Sequence, residues 1–205
     1  LWVAENFTYA EHPKRIETKL QDRIVIFPQH TADTPAPAPT VFIDSLQNLT
    51  GLEVAPNGVW AICPPKLLFI PDRDADDKPD SDPVTVLDGF TVARDSHHNF
   101  ANGIRFGPDG WLYGRCGGSC PGLVGTPGTP AESRIPINGG IWRFNTRTRT
   151  FEVLCHGTTN PWGHDWNELN DLFFINTVNG HFWHMIPGAH YNRPFLLDPN
   201  PHIYK

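Results

Sequence analysis

The sequence predicts an all-β chain of the β-propeller class, and three observations carry that expectation. A unit of strand, tight turn and strand recurs: Trp111 follows Val59 by 52 positions, and Leu172 follows Trp111 by 61. A period of ~40–60 residues made of turn-linked strands is the signature of propeller blades. No stretch sustains the 3.6-residue apolar period of an amphipathic helix. The 21 prolines and 18 glycines supply many turns, and an aromatic content of 12% supplies bulky residues for packing between blades.

Each element follows from local pattern. Leu1-Trp2-Val3 is a short apolar strand, and residues 23–27 form an edge-type strand beside it. The proline-rich stretch 28–40 is bounded by Ile24-Val25-Ile26 and Val41-Phe42-Ile43, which makes it a long inter-strand loop rather than a domain boundary. Leu52-Glu53-Val54, the turn Pro56-Asn57-Gly58 and Val59-Trp60-Ala61 make the first complete unit, followed by strands at 66–70 and 84–87. Ile104-Arg105-Phe106, Pro108-Asp109-Gly110 and Trp111-Leu112-Tyr113 repeat it, because proline pre-sets φ for a turn and glycine accepts positive φ. Strands at 140–144 and 151–154 complete that copy. His164-Asp165-Trp166, a turn through Glu168-Leu169-Asn170-Asp171, and Leu172-Phe173-Phe174 start another. In the segment after it, strand alternation puts Phe182 and His184 on one face, His181 and Trp183 on the other.

These repeats make three to four blades, too few to close a six-bladed ring. A half ring leaves sheet edges and apolar blade faces in water. Residues 1–205 are therefore read as one partial propeller domain within a longer protein, with the remaining blades as its partners. Sixteen basic residues against 22 acidic give a net charge of −6 with no Lys/Arg cluster, which argues against nucleic acid. No 18-residue apolar run is present, so this segment holds no membrane-spanning helix. Cys116 and Cys120 are separated by two glycines and a serine, close enough for a local disulfide in an oxidising compartment. Cys63 and Cys155 sit in or beside apolar strands and are expected as buried thiols.

Two segments carry chemistry. His97-His98 precede the strand at 104–106 and fall on a loop at one end of the channel, where a propeller displays reactive side chains. Histidine has an unperturbed pKa of ~6.5 and suits proton transfer. The second is the acidic hairpin loop with Asp72, Asp74, Asp76 and Asp80 at relative positions 1, 3, 5 and 9, the ligand pattern of a calcium loop. Asp77 stands where such loops carry glycine, and a solvated acidic turn is the alternative.

Several segments together resemble one family. They are Leu1-Trp2-Val3-Ala4-Glu5-Asn6, Trp60-Ala61-Ile62-Cys63-Pro64-Pro65-Lys66, the stretch from His97 to Gly114, Gly157-Thr158-Thr159-Asn160-Pro161-Trp162-Gly163-His164, and Phe174-Ile175-Asn176-Thr177-Val178-Asn179-Gly180-His181. The chain resembles the N-terminal propeller of the membrane-bound dehydrogenase family of planctomycetes and their relatives. That family is similar to the soluble quinoprotein sugar dehydrogenases, which are six-bladed propellers dependent on pyrroloquinoline quinone (PQQ). The resemblance implies a periplasmic or secreted oxidoreductase that binds PQQ and Ca2+ and oxidises a sugar or alcohol hydroxyl by hydride transfer to the quinone. His98, or its neighbour His97, stands where the catalytic base is expected, although His98 lies one residue further from the Pro-Asp-Gly turn than in those enzymes. Asn160, Thr159, Gly163, His164, Gly180 and His181 fall where that resemblance expects cofactor contacts. Two departures matter: Thr159 replaces an arginine that contacts the cofactor, and Asn179-Gly180-His181 replaces a Gly-Pro calcium loop. Three other readings stay open. The first is a non-catalytic propeller binding carbohydrate or a protein partner. The second is a transition-metal site of His98, His164, His181 and Asn160. The third is a calcium-dependent lactonase.

Overall fold

In the computed structural model the chain is a row of antiparallel sheets, with no α-helix among the described residues. The structure describes residues 1–9, 19–31, 33, 35, 37–92, 99–118, 120–178, 180–193 and 200–204. The first sheet joins β1 (Trp2–Glu5), β2 (Asp22–Ile26) and β3 (Thr40–Leu46) in that order. The second runs β4 (Gly51–Ala55), β5 (Gly58–Cys63), β6 (Lys66–Pro71), β7 (Val84–Asp88). The third is built from β8 (Asn102–Phe106), β9 (Leu112–Cys116), β12 (Gly140–Asn145) and β13 (Thr150–Cys155). A ribbon of β10 (Gly122–Val124) and β11 (Ile135–Ile137) is inserted before β12, with a 3-10 turn at Ala131–Ser133. The fourth holds β14 (Pro161–Trp166), β15 (Leu172–Asn176) and β16 (Phe182–His184). These sheets are propeller blades, as the repeat predicts.

The turns form for the stated reasons. Gly110 adopts φ 78°, and its amide donates to Gly107 O at 2.9 Å. Asp109 fixes the next strand, accepting from Trp111 N at 3.2 Å and from the Tyr113 hydroxyl at 2.9 Å. In the fourth blade an asparagine does the equivalent work: Asn167 Oδ1 accepts from Leu169 N and Asp171 N at 3.0 and 2.8 Å. That is the local side-chain turn that makes asparagine a turn former.

Packing follows from alternation along each strand. One face of every blade buries apolar side chains against the next blade, giving three layers of core. Ile24, Phe42 and Leu49 meet Val59, Ala61 and Ile70 between the first two blades. Between the second and third, Trp60, Ile62 and Leu87 meet Leu112, Trp142 and Phe144. Tyr113, Ile141 and Cys155 meet Leu172, Phe174 and Tyr191 in the last layer. Trp142 is fully buried and lies where a Cβ on Gly114 would come within 2.1 Å of its ring.

The innermost strands β4, β8 and β14 stand side by side and form a channel wall. Gly103 N donates to Thr50 O at 3.2 Å, and a Cβ on Gly51 would lie 2.9 Å from Gly103 Cα. Arg105 and Asp165 pair at 2.7 Å between β8 and β14. The first blade differs: β1 corresponds to the second strands β5, β9 and β15, and Asn6 Nδ2 reaches Leu49 O at 2.8 Å beside β4.

Candidate functional site

The described parts of the loops that enter β4, β8 and β14 gather at one end of the channel, together with those of the loops that leave β1, β5, β9 and β15. The loop at residues 156–160 is the most tightly held of them. Thr158 Oγ1 accepts from Gly140 N at 2.8 Å and donates to Cys116 O at 3.2 Å. Asn176 Oδ1 accepts from both Thr159 N and Asn160 N, at 3.1 and 2.8 Å. Thr177 donates through its amide and its hydroxyl to Asn160 O, at 3.0 and 2.9 Å. Yet the side-chain oxygens Thr159 Oγ1 and Asn160 Oδ1 are buried without a partner among the described residues. A buried acceptor left unmade is costly. Backbone strain collects in the same place: Thr158 at φ 54° and Val178 at φ 82° are β-branched residues in the left-handed region.

Beside this loop lies a cleft of about 410 Å³ lined by Asn6, Tyr9, Thr50, Phe100, Asn102 and Trp162, among others. Its walls are largely apolar, and Trp162 is 47% exposed there. Asn102 forms its floor, donating to Phe100 O at 3.0 Å and to Pro161 O at 3.2 Å.

Behind Asn102 sits a charged group that sequence reasoning missed. Arg115, on β9, donates through Nε to Asn102 Oδ1 at 3.0 Å, and its Nη1 lies 2.8 Å from His164 Nδ1 on β14. Both side chains are sunk between the third and fourth blades, each residue 8% exposed. Burial brings the arginine down to about 10, so it stays charged at neutral pH. Burial first, then the charges of Arg115 and Arg105, hold His164 at about 3. The imidazole is therefore neutral, accepts at Nδ1 and carries its proton on Nε2, which is buried and unpartnered among the described residues. The one local signal for this arrangement is the Asn102-Gly103 pair. Gly103 adopts φ 46°, and a Cβ there would lie 1.5 Å from Arg115 Nη2.

The other expected site residues divide. His97, His98 and Asn179 lie outside the described residues. Thr159 and Asn160 sit together at the mouth. The turn bearing Gly180 and His181 adjoins them, since Asn176 N donates to His181 O at 3.2 Å. Gly180 carries Trp183 against it, with a Cβ position 2.2 Å from the indole, and His181 is exposed. Gly163 lies within β14, and the His164 beside it faces the blade interface rather than the mouth. His164 and His181 are thus not brought together, and among the described residues no histidine joins a metal-binding group.

Such a group does occur in the acidic hairpin. Asp72, Asp74 and Asp80 offer carboxylate oxygens within 4.8 Å of one another. Asp76 is not among them: its carboxylate pairs with Lys78 at 3.0 Å. Asp77 takes up φ 65° with no glycine needed, as aspartate tolerates this region better than most residues. Arg73 Nη1 binds Asp80 at 3.0 Å and offsets part of the negative charge. The hairpin contacts Asn57 through Asp72 N at 3.1 Å, at the end of the blade opposite the mouth. All four cysteines are buried and outside any disulfide, so Cys116 and Cys120 are not bridged; Cys116 Sγ instead lies 3.2 Å from Cys120 O.

Fold and mouth together define a β-propeller domain with a polar loop cluster over an apolar cleft at one end of its channel. Over residues 1–203 the sequence matches the family described as a domain of unknown function, DUF7133, and the chain belongs to that family. No curated protein matches it. Among solved structures it is similar to the PQQ-bound form of aldose sugar dehydrogenase from Streptomyces coelicolor. The TM-score is 0.56 at 17% identity, over 100% of this chain and 70% of that one. It is also similar to a Thermus thermophilus protein assigned as an oxidoreductase (glucose dehydrogenase). That TM-score is 0.55 at 18% identity, over 92% of this chain. The chain spans 65% of the length of that protein. At such identities the likeness is one of fold.

Proposed function

We propose that this chain is part of a PQQ-dependent sugar or alcohol dehydrogenase-like propeller, of the planctomycete membrane-bound dehydrogenase type, working in the periplasm or outside the cell. The observation that carries the reading is the pair of buried oxygens without a partner among the described residues, Thr159 Oγ1 and Asn160 Oδ1, on a strained loop at the channel mouth. They supply polar contacts that a protein-bound small molecule would complete, and the fold is shared with a PQQ-bound sugar dehydrogenase. PQQ, when bound, accepts a hydride from the carbon bearing the substrate hydroxyl. In this reading Thr159 and Asn160 hold the cofactor, the Gly180-His181 turn flanks it, and Trp162 and Phe100 wall the cleft against water. His98 takes the hydroxyl proton as general base, a role resting on its place in the sequence. The Asp72, Asp74 and Asp80 carboxylates staple their hairpin through Ca2+, with Asp76 held by Lys78.

Titration of the full-length protein with PQQ, with and without calcium and followed by cofactor absorbance, tests this reading. Saturable binding at one site supports it, and His98→Ala then lowers sugar-dependent dye reduction by ~10²–10⁴-fold. Absence of binding overturns it. The neutral Thr159, which offers no charge to a cofactor carboxylate, would then favour a propeller that binds carbohydrate or a protein partner without catalysis. The calcium staple has its own readout: a calcium-dependent rise in Tm that Asp72→Asn removes.

A further inference from the structure

We infer that the channel wall between β8 and β14 is an oxyanion site, in which Arg115 receives the carboxylate of a small ligand lodged at the channel mouth. A guanidinium has five N–H donors. Here Nε serves Asn102 and one Nη1 hydrogen serves His164, which leaves three donors with no acceptor among the described residues. Arg115 makes no ion pair among the described residues, and the one acid on β14, Asp165, is bound to Arg105 at 2.7 Å. A buried cation without a counter-charge is costly to keep, and it becomes favourable when a ligand brings the charge.

Geometry supplies the route. Arg115 springs from the second strand of its blade, and its Nη2 lies over Gly103 of the innermost strand, so the guanidinium extends toward the channel. The absent Cβ of Gly103 is the room it occupies. Nη2 has no partner among the described residues. Asn102, which fixes Nε, also floors the cleft of about 410 Å³. A carboxylate fits because its two oxygens match the planar guanidinium fork. The ligand is thus a carboxylate-bearing small molecule, either an acidic substrate or the cofactor's own carboxylate. The site stands whether or not PQQ is bound.

Isothermal titration and thermal shift of the full-length protein test the inference with gluconate, its neutral counterpart glucose, and PQQ. Gluconate or PQQ should bind through Arg115, and Arg115→Met should weaken that binding ~10–100-fold, with Arg115→Lys restoring part of it. Gluconate binding identifies an acidic substrate as a source of the carboxylate. Binding of PQQ alone identifies the cofactor. Should gluconate bind through Arg115 while PQQ does not, the oxyanion site stands and the cofactor reading falls. Where Arg115→Met does not fold, a ligand-induced change in the Arg115 Nε–H resonance of the wild-type protein, given by gluconate or PQQ and not by glucose, replaces the variant. The inference is overturned if neither carboxylate binds, if binding is undiminished in Arg115→Met, or if that resonance does not move.

Discussion

Replacing Gly103 with alanine strikes the channel wall at its tightest point. The added Cβ would fall 1.5 Å from Arg115 Nη2 and 2.4 Å from Cζ, so the guanidinium has to leave. Its departure breaks the hydrogen bonds to Asn102 Oδ1 and His164 Nδ1. Two hydrogen bonds to a charged group, at ~1.5–3 kcal/mol each, amount to about 3–6 kcal/mol. Alanine at φ 46° adds ~1 kcal/mol of left-handed strain. Rehydration of the released cation returns part of this, and the expected net loss is roughly 3–5 kcal/mol. Gly110→Ala is the control. It has a similar backbone, φ 78°, with nothing within 4 Å of the new Cβ, and should cost only ~1 kcal/mol. Urea unfolding followed by tryptophan fluorescence reads both. Equal losses in the two variants would refute the claim that Gly103 exists to make room for Arg115.

Further expectations follow from the same contacts. Asp22 is fully buried and accepts from Phe7 N, Thr8 N, Thr8 Oγ1 and Leu49 N at 2.6, 2.7, 2.7 and 2.8 Å, so Asp22→Asn should cost roughly 3 kcal/mol in urea unfolding. Thr158→Val removes the bonds to Gly140 N and Cys116 O; roughly 2 kcal/mol should be lost, with faster hydrogen exchange at the Gly140 amide. His164, held at about 3 by burial and then by Arg115 and Arg105, refuses a proton that the unfolded chain takes up near 6.5. Its contribution is complete above pH 6.5 and is lost as pH falls from there toward about 3. His164→Gln should flatten the stability profile in that window, and an unchanged slope would show that the imidazole is not buried neutral.

The blades were legible because their signals are local. A Pro-Asp-Gly turn between alternating strands fixes its hairpin without outside help, as Gly110 and Asp109 show. The strands expected at 66–70, 84–87, 140–144 and 151–154 all formed, each longer by a residue or two. The β10–β11 ribbon was not foreseen, since Leu123 and Ile135 are short, exposed strand residues without a flanking pattern. The Asp77 position misled in the other direction, because a left-handed residue in a tight loop need not be glycine. Thr159 and Asn160 could be placed at the channel mouth from the sequence, but nothing in it said that their oxygens would be left over while Asn176 took their amides.

Arg115 was illegible for a different reason. In Leu112-Tyr113-Gly114-Arg115-Cys116 it reads as one polar residue in an apolar strand, and alternation alone says only which face it shares with Tyr113. What makes it a site is the meeting of three blade-level facts: Gly103 beside it has no side chain, His164 comes from the next blade, and among the described residues no acid pairs with Arg115, Asp165 being bound to Arg105. Propeller repetition gives every blade the same strand path, so chemistry enters where one blade breaks the common pattern. At the corresponding position on β5 the first-layer residue is Ile62, packed in core, and on β15 it is Ile175, half-exposed. A charge at that place is found in the third blade and not in the second or fourth; two of its donors tie Asn102 and His164, and the remaining ones are what a ligand would complete.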